Sequence, residues 1–295
     1  MEERKVQKTG DMHYVYLPTN WCKKHRINSD SKLSIEENST GALVLYPRHT
    51  KNTEKILELS IDEDDQDIIN KLIMACYINP LSSFKIRLSK DMDVSKLLIQ
   101  KNIMSIESVE IDKKVISSDS SISLSDPDLL LKTLVKKVKN LVVMMNSNYN
   151  EELMRRYEEE VDRSKILIEK SIISYMTYSS PPKLKMIDLF YISQITRDLE
   201  RTVDHLINLK KQDANFIKQI EGIIQKLKEN IEKWKPSKKS EGFEYQQTID
   251  FLKIVKKLNY SDDKKNYDKR RIKSLLLNVS EVLLDWSITE HIELE

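Results

Sequence analysis

Apolar residues fall into two different rhythms along the chain, and the change comes near residue 125. Before it they alternate with polar ones over short runs, as half-buried strands do; after it they recur every three or four positions, as on helices. The early part predicts strands over residues 5–8 and 12–17, separated by the turn signal Gly10-Asp11 and ended by Pro18. A short helix over 21–25 and a hairpin of strands 32–36 and 42–46 follow, the hairpin joined through a loop containing Gly41. An acidic stretch then opens a helix on which Ile68, Leu72 and Cys76 share a face. Alternation at Phe84, Ile86 and Leu88, at Val109 and Ile111, and at Ile122 and Leu124 predicts further strands, with a helix over 94–103 among them.

From Ser125-Asp126-Pro127-Asp128, a helix start, the periodicity stays helical. The first stripe is Leu130, Leu134, Val138, Leu141 and Met145. The second is Leu153, Tyr157, Val161, Ile168, Ile172 and Met176, stopped by Pro181-Pro182. The third, on a helix over 183–211, is Ile192, Ile195, Leu199, Val203 and Leu206. Phe216 to Ile231, Ile249 to Leu258 and Ile272 to Trp286 predict three more helices, so the chain reads as two three-helix units. The expected class is α+β, mainly α: a β module over 1–50, a small α/β segment over 51–125, and helices over 126–295 divided into 126–211 and a degenerate 212–295.

Composition narrows the function. The chain of 295 residues has four glycines, Gly10, Gly41, Gly222 and Gly242, no two of them close together. A phosphate-cradling loop or a dinucleotide fingerprint needs clustered glycines, so no nucleotide cofactor is expected. Cys22 and Cys76 form no metal-binding spacing and read as free thiols in a reducing compartment. The N-terminus lacks an apolar targeting core and no apolar run approaches a membrane span, so a cytoplasmic protein without membrane insertion is expected. Lys+Arg 49 against Asp+Glu 47 leaves +2, which makes any nucleic-acid surface local. The scattered histidines form no HExxH, and there is no GxSxG, so the chain reads as a regulator and not as an enzyme.

Arg4-Lys5-Val6-Gln7-Lys8-Thr9-Gly10, Tyr14-Val15-Tyr16-Leu17-Pro18, Trp21 and Leu43-Val44-Leu45-Tyr46-Pro47 resemble the SpoVT/AbrB swapped-hairpin domain, in the form fused to PhoU-like helices in archaea. Independently of that, about fifty residues cannot bury enough apolar surface alone, and two copies exchanging hairpins would share a core as a homodimer. The resemblance implies DNA binding through basic residues, which map here to Arg4, Lys5, Lys8, Lys23, Lys24, His25 and Arg26. The other reading of these charges is a solvated face on a module that only dimerises. Glu2, Glu3 and Asp11 dilute the local positive potential.

On the third predicted helix, Asp198-Leu199-Glu200-Arg201-Thr202-Val203-Asp204-His205 is similar to the LER-x-x-DH signature of PhoU proteins, with Val203 where that family has a small residue. The resemblance implies carboxylate pairs on neighbouring helices holding metal ions, either hard divalent cations or iron and zinc. Carried over, the ligands are Glu200 and Asp204 with Glu158 and Asp162, and more weakly Glu281 and Asp285. An i, i+4 spacing places both acids of a pair on one helix face. At this acid content about seven such pairs arise by chance, so spacing alone decides nothing. His205 could be a ligand or an ion-pair partner. The function implied is a phosphate-responsive regulator that binds DNA as a dimer and couples to phosphate uptake through its helices. The alternative is a dimeric adaptor, without DNA, docked on the cytosolic face of a phosphate transporter or on its signalling partner.

Overall fold

A computed structural model describes residues 3–37, 41–47, 56–79, 83–90, 109–111, 114–119, 126–178, 184–236, 242–260 and 266–292. They form two compact units, Met1–Thr53 and Glu54–Glu295. The expected helix over 94–103 and the expected strand at Ile122 and Leu124 lie outside the described residues.

The first unit contains two antiparallel hairpins flanking one short helix. Strands β1 (Gln7–Thr9) and β2 (Met12–Tyr14) pair with Gln7 opposite Tyr14, and β3 (Leu33–Glu37) pairs with β4 (Leu43–Pro47). The tight β1–β2 turn puts Gly10 at φ +59, where a side chain would strain the backbone. Helix α1 (Thr19–Lys24) ends with Arg26 at φ 52, and the Ile27 amide donates back to the Cys22 carbonyl at 2.9 Å. None of the described residues in this unit is buried. Val6, Met12, Tyr16, Ile35 and Leu43 are each more than 60 % exposed, so the apolar residues of the hairpins have no interior of their own.

The second unit begins with a βαβ crossover. Strand β5 (Ile56–Ile61) runs parallel to β6 (Ser83–Leu88), joined through α2 (Gln66–Ile78), and β7 (Val109–Ile111) and β8 (Val115–Asp119) complete a sheet of order β5-β6-β8-β7. The α2 face Ile69, Ile73, Cys76 and Tyr77 closes over Phe84, Ile86, Leu88 and Ile116. Asp65 caps α2: its Oδ1 accepts from the Asp67 amide at 2.8 Å and the Ile68 amide at 3.3 Å. Asp65→Ala is expected to lower unfolding stability by about 1 kcal/mol, read as a fall in the urea midpoint with an unchanged m-value.

The remaining described helices are α3 (Pro127–Ser147), α4 (Glu151–Tyr178), α5 (Met186–Leu206), α6 (Ala214–Lys233), α7 (Tyr245–Lys256) and α8 (Tyr267–Ile292). All six share one apolar core. Helix α5 lies between α4 on one side and α8 on the other, α3 packs on both α4 and α6, and α7 packs on α8. The α/β segment meets α4 through α2, where Ile166 joins its core and the Lys170 ammonium sits 3.7 Å from the Tyr77 ring centre. Burial holds the Lys170 ammonium below its ordinary value, at about 8.

Several apolar assignments need correction. Leu153 and Met176 do not belong to the buried stripe of α4: they are 37% and 54% exposed, while Met154 is 1% exposed. On α7 the buried aromatic is Phe251, with Ile249 and Leu252 only partly covered. Strand β8, rich in serine, was not foreseen.

A candidate metal site between two helices

Helices α4 and α5 are joined by a short connection and pack side by side, which brings position 162 level with 204 and position 165 level with 200. Leu199, Val203 and Leu206 are fully buried, so α5 has a fixed rotation. That rotation leaves Glu200 half-buried and Asp204 exposed on the flank facing α4. On α4, buried Val161 fixes Asp162 on the opposing flank. One carboxylate oxygen from each of Asp162, Glu200 and Asp204 lies within 4.8 Å of the other two.

The electrostatics follow from this crowding. Asp162 is pushed up to about 6, first by burial and then by the charges of Glu200, Asp204 and Glu158. Glu158 is raised by burial and then by Asp204; Asp204, exposed as a residue but with its carboxylate partly shielded on the α4 side, is raised by that desolvation and then by Glu200. Glu158 is thus coupled to the group without contributing an oxygen to the close triad. One cation is built in: Lys165 Nζ donates to Glu200 Oε1 at 2.8 Å.

An all-oxygen donor set is the kind a hard cation takes. Two oxygens bound to one Ca²⁺ at about 2.4 Å stand at most about 4.8 Å apart. Three carboxylates would supply half of such a coordination sphere, and the open flank would leave the rest to water or to an incoming oxyanion.

His205 points the other way from the triad. Its Nδ1 is 2.8 Å from Asp268 Oδ1 on α8, and its ring packs edge-on to Tyr267. Glu281 and Asp285 are both exposed on α8, and no third ligand joins them among the described residues. On the adjacent α7, Gln246 donates to Asp250 Oδ1 at 3.2 Å and Lys253 pairs with the same oxygen. The basic candidates Arg4, Lys5, Lys8, Lys23, Lys24 and Arg26 are all exposed in the first unit, and His25 is partly covered against Trp21.

Sequence reasoning missed Lys165, because its pairing with Glu200 depends on how two helices align. It also missed Asp268, which has no motif around it. Among the described residues no helix is long and apolar enough to cross a membrane. No family model, curated protein or solved structure matches this chain.

Proposed function

We propose that the chain is a phosphate-responsive regulator that acts as a homodimer, binds DNA through its first unit and holds divalent, iron or zinc ions on the facing acids of α4 and α5. The observation that carries this reading is the meeting of Asp162, Glu200 and Asp204 across two helices. Their sequence context resembles the PhoU signature, and chance acid pairs have no reason to face one another. A cation held there on the helix flank keeps positions open to oxyanions, which is how a helical protein without glycine loops can respond to phosphate.

The first unit bears on the reading in two ways, the first common to both readings and the second specific to DNA. Its exposed apolar hairpins call for a second copy as partner. Arg26, in the left-handed turn that ends α1, is exposed like Lys23 and Lys24 before it, so the three charges are available to phosphates. In the competing adaptor reading the same unit only dimerises, and Glu3 and Asp11 beside the basic residues favour it.

A salt titration separates the two. Binding of the dimer to duplex DNA should fall linearly with log[salt], with a slope of about −0.9 per phosphate neutralised. Replacing Lys5 and Lys8 by Ala should reduce that slope by about 2 units in a protein that remains dimeric. An intact dimer with no DNA affinity at low salt would leave the adaptor.

A further inference from the structure

The α/β segment and the helices keep separate apolar cores, and α2 rests on α4 where the two meet. On α2, Asn70, Met74 and Tyr77 share one face at helical spacing, while the charged residues of that helix, Asp67 and Lys71, are exposed. On α4, Ile166 joins the core of the α/β segment, and Lys170 follows one turn later.

Lys170 is only 5% exposed, and its ammonium stands over the Tyr77 ring. Lysine is rarely buried to this degree without an anionic partner. Among the described residues neither a hydrogen bond nor an ion pair reaches this ammonium. The nearby charges are engaged elsewhere. Glu169 couples to Lys165 and Glu200, Arg163 pairs with Glu159 and Glu160, and Lys137 of α3 is taken up by Glu160 and Ser164. The acids of α5 face Asp162 and Lys165 on another flank of α4.

We propose that Lys170 makes the seating of the α/β segment on the helices depend on proton concentration, firm over a neutral amine and loose over an ammonium. Two opposed effects act on the charged form: the Tyr77 ring attracts the cation, and loss of water disfavours it. Burial wins, taking the amine from 10.5 down to about 8 in the seated state. Once unseated, the amine regains its ordinary proton affinity. Seating therefore strengthens as pH rises from about 8 toward 10.5 and is weakest, as far as this group decides it, below about 8. Those two values set a ceiling of about 300-fold on the change in the seating equilibrium. The ring keeps the charged state within reach, so both states of the joint can be populated.

NMR of the full chain with lysines labelled at the ε carbon tests this. One signal should titrate near 8 and be absent from Lys170→Met. Protection of residues 66–78 against deuterium exchange, corrected for the intrinsic pH dependence, should rise severalfold from pH 7 to 9, with a ceiling of roughly tenfold. In Lys170→Met it should stay flat, at the higher level. Should that variant fail to fold, Tyr77→Leu should move the lysine midpoint further down, because the ring no longer supports the cation. No lysine titrating below 9, equal protection at both pH values in the parent, the same rise in Lys170→Met, or an unmoved midpoint in Tyr77→Leu overturns the proposal.

Discussion

Asp162→Asn is expected to stabilise the protein at neutral pH and, on the proposed metal reading, to remove the stabilisation that a divalent cation would confer on the parent. Asp162 has its carboxyl raised from 3.8 to about 6 in the folded chain. Between those two values the native state holds a proton that the unfolded chain has released. Stability therefore falls as pH rises through this window and is lowest, as far as this group decides it, above about 6. The two-unit shift sets a ceiling of about 3 kcal/mol, and solvent screening of a partly exposed group reduces it to on the order of 1 kcal/mol. Glu158 and Asp204 are shifted in the same direction and add to the trend. Asparagine cannot ionise, so the variant should gain that amount at neutral pH and match the parent in acid below the unfolded value.

The cation response on the proposed metal reading has the opposite sign. The repulsion that destabilises the empty triad becomes attraction toward a bound ion, and an ion present at 100 times its dissociation constant stabilises by about 2.7 kcal/mol. Thermal melts with and without Mn²⁺ or Ca²⁺ should show that rise in the parent and lose it in Asp162→Asn and Glu200→Gln. An unchanged rise in both variants would place the ion elsewhere.

Trp286→Ala should cost about 4 kcal/mol, the largest single-residue loss expected in the helical unit. Trp286 is fully buried, stacks on Tyr191 with ring centres 5.6 Å apart, and packs against Trp234 at 4.5 Å and Phe243 at 5.0 Å. Its Nε1 donates to Asp188 Oδ1 at 2.9 Å, while the other oxygen of Asp188 accepts from the Lys185 amide at the start of α5. Truncation therefore leaves a void and strips one partner from a carboxylate that is only 4% exposed. Trp286→Phe keeps most of the ring volume but also lacks the indole N–H, so it should lose less, its own loss reporting mainly the hydrogen bond and the difference between the variants the cavity. Urea midpoints of the two variants separate the cavity from the lost bond; equal losses would assign the effect to the lost hydrogen bond alone.

Much of the helical unit was legible because apolar periodicity over many turns is a strong signal. The error on α4 has a geometric origin. Steps of four residues advance about 40° too far round a helix, so Leu153 lies about 80° from Val161 while Met154 lies within about 20° of it. A stripe extended by fours over 28 residues walks out of the core. Strand β8 was hidden because Ser117, Ser118 and Asp119 give it little apolar alternation; its pairing with β6 holds it in the sheet. At the candidate site the acid pairs could be read from spacing, since an i, i+4 pair shares a face wherever it occurs. Which pair faces which is a matter of helix alignment. That alignment joins Asp162 to Glu200 and Asp204, and leaves Glu281 and Asp285 beside an α7 that offers Gln246 and Asp250.

The first unit has hairpins but no buried residue among those described, and this bears on how the protein should melt. On the proposed homodimer reading its inside comes from a second copy, so its transition should move with protein concentration by the law of mass action, whereas the helices, with their own core, should not depend on dilution in this way. Calorimetry across a hundredfold dilution should accordingly resolve one sliding endotherm and one stationary one. On that reading, the dilution at which the sliding step reaches growth temperature would mark the lowest abundance at which the first unit stays paired in a cell.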